Sequence, residues 1–171
     1  MTMSRTVTMK GNPLDLEGPE LKVGDAAPVA LLRKDLANDF DLSEASGKLR
    51  VYSVVPSLDT GICAAQTKRF NEEAAKLGDI QFYTISMDLP VAMSRFCGAE
   101  GIDAKNMMML SDHKLAEFGA KYGVLVPSMR ILQRAIFIAG KDDKIEYVEY
   151  VPEIASHPDY DAVLSALKSL A

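Results

Sequence analysis

Short apolar runs, broken by glycine, proline and charge, alternate along this chain with longer stretches whose apolar residues recur at helical spacing. Leu49 to Val55 is the strongest buried-strand pattern, followed by Ile80 to Ser86 and the shorter Val29 to Leu32 and Met107 to Leu110. From Thr60 to Leu77 the pattern is helical: Phe70, Ala74 and Leu77 share a face, and Lys68, Arg69, Glu72, Glu73 and Lys76 take the solvated side. Gly78-Asp79 ends that helix. Leu89-Pro90 opens another, with proline suited to its first turn, and Arg95-Phe96-Cys97 falls on it or near its end. Ser111 or Asp112 caps a predicted helix from His113 to Tyr122, closed by Gly123.

The remaining segments predict two hairpins and a closing helix. Arg5 to Met9 and Leu14 to Leu16 flank Gly11-Asn12-Pro13, and Ala135 to Ala139 and Ile145 to Val151 flank Gly140 to Lys144. Phe40-Asp41-Leu42 leads into Ser43 to Gly47, a capped turn ended by glycine. From about Pro158 to Leu170, apolar Tyr160, Val163, Leu164 and Leu167 follow the i, i+3, i+4, i+7 pattern. Strands alternating with helices, then a hairpin and a helix, predict a three-layer α/β arrangement, one domain across residues 1–171.

Composition narrows the function. A chain of 171 residues can bury a core without disulfide staples. Its net charge of −5 leaves no surplus of Lys and Arg for phosphates, which argues against a nucleic-acid partner. No apolar run approaches the ~20 residues that span a bilayer, and Met1 to Leu21 is polar and turn-rich, without the apolar segment of a signal peptide. The expected setting is a reducing cytoplasm, with no membrane partner.

In that setting Cys63 stands out. It follows the strand in Pro56-Ser57-Leu58-Asp59-Thr60-Gly61-Ile62-Cys63, where the chain turns and a helix begins. A thiol in the first turn of a helix meets the positive end of the dipole and unpaired N–H groups, which favour the nucleophilic thiolate. The alternative is a small buried hydrophobe, the commonest use of a free cysteine. Cys97 is the other cysteine, and the pair lacks Cys-x-x-Cys spacing, which excludes a thioredoxin-type active site. His113 and His157 show no ligand spacing to either cysteine, so no metal is expected, and both read as helix-start residues rather than bases. A reversible, catalytic disulfide meets the fewest objections.

Two motifs carry a resemblance. Pro56 to Ala65 resembles the peroxidatic motif, and Ser94-Arg95-Phe96-Cys97-Gly98-Ala99-Glu100-Gly101 the resolving-cysteine motif, of the thiol peroxidase family, the atypical two-cysteine peroxiredoxins. Gly11-Asn12-Pro13 with its flanking strands, Leu110-Ser111-Asp112, Tyr122-Gly123-Val124, Arg134-Ala135 and the ending with Pro158-Asp159-Tyr160 are similar to the family as well. Ser53-Val54-Val55 departs from it, standing where Asn and Phe are common, and Met107 to Met109 is unusually methionine-rich.

The resemblance implies a thioredoxin-like fold with an N-terminal β-hairpin extension, and a thioredoxin-dependent reduction of hydrogen peroxide and alkyl hydroperoxides. It implies that Cys63 is peroxidatic and Cys97 resolving, that Thr60 and Arg134 complete the peroxide site, and that Pro56 shields it. Arg130 is the competitor to Arg134, and its second rank rests on the resemblance alone. No cofactor is implied; thioredoxin, a hydroperoxide and a second copy of the chain are the partners. Two other functions use the same cysteines: a general thiol–disulfide oxidoreductase and a redox-sensing interaction protein. Two inert buried cysteines in a structural protein complete the alternatives.

Overall fold

The computed structural model describes residues 4–103, 105 and 107–171. Met1 to Met3, the start of the segment read as lacking a signal sequence, lie outside the described residues. The elements run β1 (Arg5–Met9), β2 (Asn12–Leu16), β3 (Leu31–Arg33), β4 (Asp39–Asp41), a 3-10 turn (Leu42–Ala45), β5 (Arg50–Val54), α1 (Gly61–Lys76), β6 (Gln81–Ser86), α2 (Pro90–Glu100) and β7 (Met107–Ser111). Then come α3 (Glu117–Tyr122), β8 (Leu125–Val126), β9 (Ile131–Leu132), β10 (Ala135–Ala139), β11 (Ile145–Tyr150) and α4 (Tyr160–Leu170).

Seven strands form one mixed sheet in the order β11-β10-β5-β6-β7-β3-β4, with β5, β6 and β7 parallel and the outer pairings antiparallel. Every residue of β5 and of β10 is buried, as expected for strands covered on both faces. On one face Val51, Phe82, Ile136 and Ile138 pack against Phe70 and Ala74 of α1 and Val163 and Leu167 of α4. On the other, Tyr52, Val54 and Phe137 meet Phe118 and Tyr122 of α3, whose rings stack 4.1 Å apart. The expected three-layer α/β arrangement is the one observed. Among the described residues no helix is long and apolar enough to cross a membrane.

Three local expectations shift. The N-terminal hairpin turns at Lys10-Gly11, not Gly11-Asn12-Pro13. Both turn residues have positive φ (50° and 81°), the mirror-image turn whose twist suits the strands, so β2 already starts at Asn12. The strand expected from Val29 begins at Leu31, because the Pro28 and Val29 carbonyls accept instead from the Tyr122 hydroxyl (2.7 Å) and Lys121 Nζ (2.8 Å). The capped turn expected after Phe40 is present, with Asp41 as its cap, reciprocally with Glu44. The helix expected from His113 starts only at Glu117, because Ala116 adopts a left-handed conformation (φ 52°).

Asp112 still serves that helix, but across the intervening turn. Its buried carboxylate accepts from Phe118 N (3.1 Å) and Gly119 N (2.8 Å). Burial outweighs those bonds and pushes the carboxyl up to about 6 from the ordinary 3.8. A raised folded-state value stabilises the fold fully below the unfolded value and is lost as pH rises through the folded one. Unfolding free energy should therefore carry a declining contribution between about pH 4 and 6, and Asp112→Asn should remove it. Urea titrations across that range check this; an identical pH slope in the variant would contradict it.

Candidate active site

β5 leaves the sheet at Pro56, which has no N–H to offer a ladder, and the chain crosses to α1 through Ser57–Thr60. Asp88, just after β6, clamps this crossing: its carboxylate accepts from Leu58 N (2.8 Å), the Ser57 hydroxyl (2.9 Å) and the Ser86 hydroxyl (2.7 Å). Thr60 occupies the N-cap position of α1 in extended conformation, yet its hydroxyl does not cap the helix. It donates to the Ser57 carbonyl at 3.2 Å. Thr60 therefore gives the first-turn N–H groups no side-chain cap, and its hydroxyl keeps acceptor capacity.

Cys63 lies in that first turn. It is fully buried in an apolar cluster with Val55, Leu58, Met93 and Phe96. Its polar partner comes from the neighbouring strand of the sheet, just before β10, which pairs with β5. Arg134 is 1% exposed, and its Nη2 donates to Cys63 Sγ at 3.3 Å. The rest of the guanidinium is held by the Ile154 carbonyl, which accepts from Nη2 (3.0 Å) and Nε (3.3 Å), and by Gln66 Oε1, which accepts from Nη1 (2.8 Å). Gln66 in turn donates to the Ser53 hydroxyl at 2.7 Å. Among the described residues Arg134 forms no ion pair with a carboxylate.

A pocket of about 320 Å³ opens onto this arrangement, lined by Pro56, Thr60, Gly61, Ile62, Arg134, Met9, Lys10, Ile154 and Ala155. Its walls are almost wholly apolar, and Met9 and Lys10 of the N-terminal hairpin supply one side. A buried sulfur bonded to a cation beside a small apolar pocket suits attack on a small, weakly polar electrophile.

The comparisons with known proteins agree with this geometry. Residues 22–164 match the Redoxin family. The chain is 53% identical over 162 residues to a thiol peroxidase of Oceanobacillus iheyensis, covering 94% of this chain and 97% of that one. It is 47% identical over 164 residues to a thiol peroxidase of Bacillus subtilis, covering 96% and 97%. The chain belongs to the thiol peroxidase family. A peroxiredoxin-like protein from Aquifex aeolicus superposes with a TM-score of 0.89 at 43% identity over the whole of both chains. The thiol peroxidase from Chromobacterium violaceum, at 23% identity and TM-score 0.83, shares the fold. The fold is that of thioredoxin-like peroxiredoxins, and the chain is a peroxiredoxin-type peroxidase.

Within this thiol peroxidase the two cysteines are both free and face different surroundings. Cys97 is half-buried in the last turn of α2, and burial pushes its thiol up. It lines a second pocket, of about 340 Å³, with Pro90, Met93, Ser94 and Met107–Met109. The two pockets share no lining residue, and Phe96 packs in the cluster around Cys63. The structure thus brings Pro56, Thr60 and Arg134 to one pocket, with Arg134 bonded to the Cys63 sulfur, and leaves Cys97 on another opening. Arg130 is exposed in the β8–β9 turn, and His157 is exposed with Nδ1 3.0 Å from the Tyr160 hydroxyl. Among the described residues no group of three or more His, Cys, Asp or Glu could hold a metal.

Three polar residues of this network escape a reading of the sequence alone: Gln66, Asp88 and Ser53. Gln66 carries a usable signal, since a glutamine three residues after Cys63 shares its helical face, yet that face is buried. Ser53, which stands where the family pattern differs, anchors Gln66. Asp88 sits in a loop with no periodicity to mark it.

Proposed function

We propose that this peroxidase reduces hydrogen peroxide and alkyl hydroperoxides at Cys63 and is reset through an intramolecular disulfide with Cys97. The observation that carries the proposal is the 3.3 Å contact from Arg134 Nη2 to Cys63 Sγ, made by an arginine that lines one pocket with Thr60 and Pro56. The Cys63 thiolate attacks the near oxygen of the O–O bond. An S–O bond forms, the O–O bond breaks, and the departing oxygen leaves as water or an alcohol after taking a proton. Arg134 is placed to hold that oxygen as negative charge develops on it, which favours the transition state over bound peroxide. Thr60, whose hydroxyl donates its hydrogen bond to the Ser57 carbonyl, can accept a hydrogen bond from the peroxide O–H. Pro56 covers the sulfur from bulk water.

The Cys63 sulfenic acid then condenses with the Cys97 thiol, forming the S–S bond and releasing water, before further oxidation takes place. Bonding needs Cα atoms about 4.4–6.8 Å apart. Cys63 is enclosed in its apolar cluster and Cys97 lines the second pocket, so in this cycle the first turn of α1 and the last turn of α2 unwind for the sulfurs to meet. Gly61 and Gly98 lie in these turns with open space around them. Two electrons from a dithiol reductant restore both thiols; the family resemblance names thioredoxin. It also implies a homodimer, for which Leu36, Leu89 and Val91 offer exposed apolar side chains.

A coupled assay with thioredoxin, thioredoxin reductase and NADPH tests the cycle. Cys63→Ser should consume no peroxide, and Cys97→Ser should consume a single equivalent and stop. Sustained turnover by Cys97→Ser would show that Cys97 is not the resolving residue. Hydrogen exchange in residues 60–64 and 94–101 should be faster in the oxidised protein than in the reduced one. Equal rates would remove the support for unwinding.

A further inference from the structure

The Ile154 carbonyl is the acceptor that holds two N–H groups of Arg134, and it belongs to a peptide unit whose other end is gripped separately. The N–H of that planar unit is that of Ala155, and it donates to Glu153 Oε2 at 2.8 Å. In a trans peptide the N–H and C=O point in opposite directions, so an anchor on one fixes the aim of the other. The second oxygen of the same carboxylate faces the N-terminal hairpin: Oε1 accepts from Gly11 N (3.0 Å) and from the Thr8 hydroxyl (3.3 Å). Backbone bonds complete the junction, Thr8 N to the Pro152 carbonyl (2.9 Å) and Ile154 N to the Thr8 carbonyl (2.9 Å).

We propose that Glu153 is a positioning residue of the peroxide site. Its carboxylate locks the Ile154–Ala155 peptide and the N-terminal hairpin in the arrangement that aims the Ile154 carbonyl at Arg134. Glu153 forms no hydrogen bond to Cys63 or Arg134; it acts through one peptide plane. The same grip seats Met9 and Lys10 as a wall of the pocket. Lys10 holds a left-handed φ of 50°, unfavourable for a side chain other than glycine, and the Gly11 N–H that follows it is one of those Glu153 accepts. The Ala155 N–H, and then that of Gly11, hold the Glu153 carboxyl below the ordinary carboxylate value. The hairpin is thereby part of the site, although no residue of it bonds to the sulfur.

The inference rests on the peroxidase reading, so the test separates the two. Rates of Cys63 modification by hydrogen peroxide and by methyl methanethiosulfonate are compared in the Cys97→Ser background. The second reagent modifies a thiolate without presenting peroxide oxygens to Arg134. Glu153→Ala should slow the peroxide reaction by about 10- to 100-fold, the scale of a small misplacement relayed from outside the chemistry, and slow the thiosulfonate reaction far less. Glu153→Gln keeps one carbonyl acceptor and should recover part of the loss. A folded Glu153→Ala protein with the parent ratio of the two rates overturns the proposal. If that variant does not fold, Thr8→Val decides: a lowered ratio supports the coupling, and an unchanged ratio overturns it. A parent protein that does not react with peroxide would instead remove the peroxidase reading itself.

Discussion

A guanidinium removed from water must find its charge and hydrogen-bonding partners within the protein, and the candidate site is organised around how Arg134 meets that demand. Neutral acceptors, the Ile154 carbonyl and Gln66 Oε1, take three of its N–H bonds, and the fourth goes to Cys63 Sγ. No carboxylate pairs with it among the described residues. The sulfur is therefore the one bonded partner able to carry negative charge, and an unpaired buried cation is costly. Each element around the site serves this contact. β10 delivers the arginine, β5 and the Asp88 clamp set the start of α1, and the 152–155 loop and the N-terminal hairpin hold the guanidinium from behind.

The reduced arrangement commits Cys63 to that cation and leaves Cys97 elsewhere. Apolar packing by Val55, Leu58, Met93 and Phe96 encloses the first sulfur, while the second faces a methionine-lined opening. In the proposed cycle, peroxide chemistry and disulfide formation ask different things of the same two helix ends. The first is served by order, the second by local opening, and α1 and α2 put these demands on their terminal turns, where a helix has fewest bonds to lose.

Much of this was legible in the chain. The buried runs at Leu49 to Val55 and Ile80 to Ser86 and the helix after Thr60 declared themselves by periodicity, because both faces of the sheet are covered. Cys63 was marked by its strand–proline–threonine context, and Arg134 by the family resemblance. The start of α3 was not legible: it depends on a left-handed Ala116 and on a carboxylate reaching across a turn. The Lys10-Gly11 turn was hidden by the Gly-Asn-Pro that overlaps it. Gln66, Asp88 and Glu153 matter through partners at large sequence separation, and the last two sit in loops. Such residues acquire their meaning only once the sheet has brought the segments together.

The central claim, that Arg134 and the Cys63 sulfur form the working unit, is tested most directly by the rate of Cys63 sulfenic acid formation. Dimedone labelling after a hydrogen peroxide pulse reads that rate in the Cys97→Ser protein with and without Arg134→Met. Loss of a preorganised donor at a developing oxyanion costs on the order of 10²- to 10³-fold, and a fall of that size in a folded variant is the expected result. Labelling at the parent rate would contradict the account.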